Sequence, residues 1–194
     1  MAETLSTMLE LATQAPKFSL PDVVSGETIS LAAFDGRKAL LVMFICRHCP
    51  FVKHVQDELA RIGMDYRNKD LGIVAISSND PAVNSDDSPS GLKEIALELG
   101  FTFPFLYDES QQTARDYSAA CTPDFFVFDG SRRLVYRGQL DDSRPKNGLP
   151  VTGHDLRAAL DAVLAAKPVD PNQRPSIGCN IKWKAGNEPE YFRR

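Results

Sequence analysis

Continuous apolar runs and stretches of helical period take turns along the chain. Lys38 to Ile45, "KALLVMFI", is apolar without polar alternation, as expected of a strand buried on both faces of a parallel or mixed sheet. From Pro50 onward Phe51, Val52, Val55, Leu59 and Ile62 recur near helical spacing, with Pro50 in the first turn, where its missing N–H costs nothing. "DLGIVAIS", Asp70 to Ser77, is a second buried strand, which completes a β-α-β unit with a right-handed crossover. Ahead of this unit "FSL" and "TISL" flank "VVSGET" and predict a hairpin.

After it the polar loop "NDPAVNSDDSPSG", Asn79 to Gly91, leads into a helix over "LKEIALELG" that Gly100 stops. "FPFLYDES" predicts a short strand and "QQTARDYSA" a short helix. "DFFVFDGSRRLVYRG" reads as a hairpin turned at Asp129-Gly130, and "GHDLRAALDAVLAA", Gly153 to Ala166, as an amphipathic helix. Residues 168–194 contain four prolines and no helical period, yet they hold the sole Trp and a Cys within "IGCNIKW". Such a tail is expected to pack on the body, giving an N-terminal extension over 1–13, a domain over 14–167 and a tail over 168–194.

The chemistry concentrates in "FICRHCPFVKHV", Phe44 to Val55, where Cys46 and Cys49 occupy the junction between the first buried strand and the Pro-started helix. A helix N-terminus stabilises a thiolate, so an exposed Cys46 would ionise and attack while a shielded Cys49 resolves. The spacing allows a readily exchanged disulfide. Arg47 and His48 between them, when charged, favour the thiolate and a more oxidising couple. The same spacing also serves in half of a zinc site, and two thiols buried as small apolar groups are a third account. Thr122-Pro123 ahead of a strand is where a cis-proline would present backbone groups to a substrate chain.

Composition narrows the partners. Twenty-two basic against 26 acidic residues leave a net charge of −4, unsuited to a phosphate backbone or an anionic membrane. The N-terminus has no basic start followed by an apolar stretch, so a cytoplasmic location is expected. Four cysteines are too sparse for a disulfide framework, and in a reducing compartment they read as catalytic or metal-binding. The partners expected are a protein or small-molecule disulfide or thiol and a cellular reductant, with no cofactor.

Residues 14–166 resemble the thioredoxin-like fold, within it the redoxin branch that includes the peroxiredoxins and TlpA-like thiol oxidoreductases. The resemblance rests on "QAPKFSLPDVVSGETISLAAFDGRKALLVMFICRHCP" and "CTPDFFVFDGSRRLVYRG", and more narrowly on "CRHCPFVKHV", "ISSND", "DDSRP" and "PSIGCNIKW". It implies an α/β fold with a central mixed sheet flanked by helices, an N-terminal hairpin and an irregular C-terminal tail. It also implies thiol-disulfide exchange with Cys46 as nucleophile, Cys49 as resolving thiol and Pro123 as the cis-proline.

Two features depart from the family. The strand before Cys46 lacks the buried acid of thioredoxins, so assistance to Cys49 falls to water, His48 or Glu109. The Pro and Thr that lead to a peroxidatic cysteine are absent, Val42 and Cys46 standing at those places, which leaves thiol peroxidase as the alternative activity. Cys121, two residues before Pro123, and Cys179 are read as an auxiliary redox pair that ties the tail over the site. A four-thiolate metal centre is the competing account, and it would consume the nucleophile.

Overall fold

A computed structural model describes residues 3–193. In chain order the strands and helices are β1 (Glu3–Leu5), β2 (Ser19–Pro21), β3 (Thr28–Ser30), β4 (Ala39–Phe44), α1 (Pro50–Tyr66), β5 (Leu71–Ser77), α2 (Pro89–Glu98), β6 (Phe105–Tyr107), α3 (Gln112–Asp116), β7 (Cys121–Thr122), β8 (Asp124–Asp129), β9 (Leu134–Gly138), α4 (His154–Leu164) and β10 (Ile177–Asn180).

The central sheet has the order β6-β5-β4-β8-β9, with β4, β5 and β6 parallel and β8 and β9 antiparallel to their neighbours. It is a mixed sheet flanked by helices, as the family resemblance implies. Each residue of β4 is fully buried, because side chains alternate between two covered faces. Ala39, Leu41 and Met43 pack with Val55, Leu59 and Ile62 of α1, Leu92 and Ala96 of α2, and Leu156 and Leu160 of α4. Leu40, Val42 and Phe44 pack with Phe18 and Phe34 of the N-terminal region, Ala114 of α3, Tyr117, and Ile181 and Trp183 of the tail. Strands β2 and β3 form the hairpin anticipated around Gly26.

A second, three-stranded sheet runs β1-β10-β7 and has no counterpart in the hydrophobic pattern. Its strands are two to four residues long, too short for a period-2 signal, and its members come from the two ends of the chain and from the turn before Pro123. Gly178 lets β10 approach closely, since a Cβ there would lie 2.0 Å from the Thr122 carbonyl oxygen. Among the described residues no helix is long and apolar enough to cross a membrane.

Candidate active site

Strand β4 ends at Phe44, and α1 starts at Pro50 with Cys49 as its N-cap residue. The intervening loop turns back under the residue pair that opens β8. The Thr122–Pro123 peptide is cis, in agreement with the reading of that motif. The Cys46 Sγ lies 3.3 Å from the Thr122 hydroxyl and 3.9 Å from His48 Nδ1, and the Cys49 thiol donates to the Thr122 carbonyl at 3.2 Å. Both sulfurs are buried, Cys46 at 2% exposure and Cys49 at none.

That burial corrects one expectation. Neither thiol is exposed, and the residue at the N-cap of α1 is Cys49. Burial, the hydrogen bond with Cys49 and the negative charge of Asp87 push the Cys46 thiol up. Cys49 is shifted down, because it accepts hydrogen bonds from the thiols of Cys179 and Cys46 and from the Val52 N–H, against an opposing effect of burial.

The loop between the cysteines hangs on one carboxylate. Asp87 is fully buried, and its Oδ1 accepts the backbone N–H groups of Arg47 at 2.9 Å and His48 at 3.1 Å. Its Oδ2 accepts from His48 Nδ1 at 2.5 Å and Asn79 Nδ2 at 2.7 Å. Burial alone would raise the Asp87 pKa, yet the hydrogen bonds from His48 and Asn79 bring it below the usual carboxylate range. Asn79 is itself held by the tail, its Oδ1 accepting the Lys182 N–H at 2.9 Å. Arg47 points elsewhere: its guanidinium pairs with Glu94 at 2.6 Å and reaches the Gly91 carbonyl, so it clamps the loop to α2 instead of facing a sulfur.

Cys121 and Cys179 sit in neighbouring strands, but on different faces. In the β7–β10 pairing Cys179 stands opposite Thr122 and Asn180 opposite Cys121. Directly opposed residues project to the same side and successive residues to opposite sides, so Cys121 and Cys179 diverge. The expected Cys121–Cys179 couple is not assembled. Cys179 instead shares a core with Cys46 and Cys49, and its thiol engages Cys49, which pushes Cys179 up together with burial. Cys121 is fully buried, donates to the Pro123 carbonyl at 3.6 Å, and is pushed up by burial and by the charge of Asp124.

The four-sulfur metal centre is not assembled either. Among the described residues the metal-capable group of three is Cys46, His48 and Asp87, whose donor atoms lie within 4.8 Å of one another. Glu109 stands exposed on the turn after β6. Two acids are fully buried nearby: Asp87, whose charge acts on Cys46, and Asp124, which stands opposite Phe44 across β4 and β8 and whose charge acts on Cys121. Burial pushes Asp124 up to about 8, opposed in part by the N–H groups of Ala120 and Phe125. Neither acid is marked by a local sequence signal. Asp87 lies in a polar loop with the composition of a solvated turn, and Asp124 comes from β8, beside the strand that leads to Cys46.

A groove beside Pro123 is lined by Phe51, His54, Leu140, Arg144 and Ile177. His54 Nε2 lies 2.7 Å from the Ser143 hydroxyl, and Arg144 donates to the carbonyls of Asp141 and Ser143. The "DDSRP" turn thus forms one wall of the groove.

In comparison with known proteins, the model of the family described as Redoxin matches residues 10–156. A crystal structure of an uncharacterised conserved protein from Geobacillus kaustophilus is 54% identical, with a TM-score of 0.93, covering 95% of this chain and 97% of that one. A hypothetical protein from Sinorhizobium meliloti is 50% identical, with a TM-score of 0.92 over 94% of this chain and 100% of its own. The thioredoxin domain of a thiol-disulfide oxidoreductase from Bacteroides vulgatus shares the fold at 19% identity and a TM-score of 0.56, covering 70% and 90% of the two chains. The search of curated proteins returns no match. The family match begins ahead of β2 and ends in α4, so it takes in the whole central sheet and the cysteine junction: the chain belongs to the redoxin family.

Proposed function

We propose that this protein is a thiol-disulfide oxidoreductase in which Cys46 forms the mixed disulfide with substrate and Cys49 resolves it. The observation that carries this reading is the pair of hydrogen-bonded thiols at the start of α1, packed against Thr122 and Pro123. Once the pair has lost one proton, the remaining one is shared across the hydrogen bond between Cys46 and Cys49. Passing that proton to Cys49 makes Cys46 the attacking thiolate, whose sulfur joins one substrate sulfur and expels the other as thiolate. Cys49, once deprotonated, attacks the Cys46 sulfur, releases the second substrate thiol and leaves a Cys46–Cys49 disulfide.

The substrate is a protein or small-molecule disulfide lying in the groove beside Pro123, and a cellular reductant restores the dithiol. A cytoplasmic setting, where reductant is abundant, fits this cycle. Reduction of insulin by dithiothreitol-recycled protein tests it. Cys46→Ser is expected to lose the activity, by at least about 100-fold, since a serine hydroxyl is un-ionised at neutral pH. Equal rates for the variant and the parent protein would overturn the assignment.

A further inference from the structure

Cys49 is a hub with two sulfur partners. On one side stands Cys46, and on the other Cys179, which β10 delivers opposite Thr122, the residue whose hydroxyl meets Cys46 and whose carbonyl meets Cys49. Cys179 is 2% exposed and lies in the same apolar cluster as the other two. Its backbone N–H and its thiol both reach Cys49. Gly178 keeps this contact close, because any side chain there would collide with the Thr122 carbonyl.

We propose that Cys179 is a third redox thiol, which takes the disulfide over from Cys46 by exchange at Cys49. The inference rests on the exchange reading above. With Cys46–Cys49 oxidised, the Cys179 thiolate attacks the Cys49 sulfur. The Cys46–Cys49 bond breaks, the Cys49–Cys179 bond forms, and the Cys46 sulfur leaves with the electron pair and receives the proton given up by Cys179. One disulfide and one thiol are present before and after, so no outside oxidant is consumed. The step returns Cys46 to its reduced, substrate-ready form and stores the oxidising equivalents on the C-terminal tail.

Peptide mapping tests this on the full chain, oxidised with glutathione disulfide, quenched in acid and alkylated. Wild-type protein is expected to yield Cys49–Cys179 beside Cys46–Cys49. Cys46→Ser is expected to form Cys49–Cys179 and to leave one titratable thiol, that of Cys121. Cys121→Ala should leave the wild-type pairing pattern unchanged. Wild-type protein that yields Cys46–Cys49 and never Cys49–Cys179 overturns the inference while the exchange reading stands. Protein that yields neither overturns both, and a Cys121–Cys179 disulfide overturns the inference alone. Because the wild-type map decides the matter, a misfolded variant leaves the test intact.

Discussion

Asp87 carries more of the site than its place in a polar loop suggests. Its two oxygens accept four hydrogen bonds, two of them from the backbone of the loop between the cysteines. Asp87→Ala leaves these buried donors unpaired, at about 1–3 kcal/mol each before relaxation or water entry, so a loss of about 2–4 kcal/mol is expected in urea titration. The same variant should slow insulin reduction, with a change in pH profile that a purely global loss of stability would not produce. An unchanged profile would make Asp87 structural only.

Asp124 offers a second test at this scale. Burial raises its pKa to about 8, so the folded protein holds a proton that the unfolded chain releases above the usual carboxylate range. Its contribution is fully present at acid pH and is lost as pH rises toward 8, by roughly 1 kcal/mol per unit and a few kcal/mol in all. In urea midpoints measured from about pH 5 to about pH 8, Asp124→Asn should therefore gain on wild type as pH rises. Parallel curves would show that Asp124 is ionised in the fold.

At the scale of elements, the decisive contact is β10 against β7. Gly178→Ala places a methyl group 2.0 Å from a backbone oxygen, which no rotamer change can relieve. The strands must separate, at an expected cost of about 1–3 kcal/mol. Amide hydrogen exchange should quicken across β10 and β1, and Cys179 should draw away from Cys49. Wild-type protection in this variant would mean that β10 docks without a close approach. Strands β4 and β5 were readable in advance, because burial on both faces demands unbroken apolar runs. Strands β1, β7 and β10 were not, since two to four residues show no period and their pairing depends on residues distant in the chain, as Cys179 with Thr122 and Glu3 with Cys179.

At the scale of the whole molecule, the tail closes a circuit. Lys182 holds Asn79, Asn79 holds Asp87, and Asp87 holds the loop between Cys46 and Cys49, while Cys179 reaches Cys49 from the opposite side. Ile181 and Trp183 anchor the same segment in the core beneath β4. The sequence by itself determined the α/β order, the two buried strands, the Pro-started helix and the placement of Cys46 and Cys49 at its N-terminus. Each of these follows from local periodicity or from the chemistry of a few adjacent residues. Tertiary structure alone decided how deeply the two thiols are buried, which cysteine Cys179 meets and where the buried acids lie. Those depend on strand register and desolvation, which are set by residues distant in the chain. A shift of one position in β10 would turn Cys179 to the face of Cys121, and no local pattern in "PSIGCNIKW" distinguishes the two.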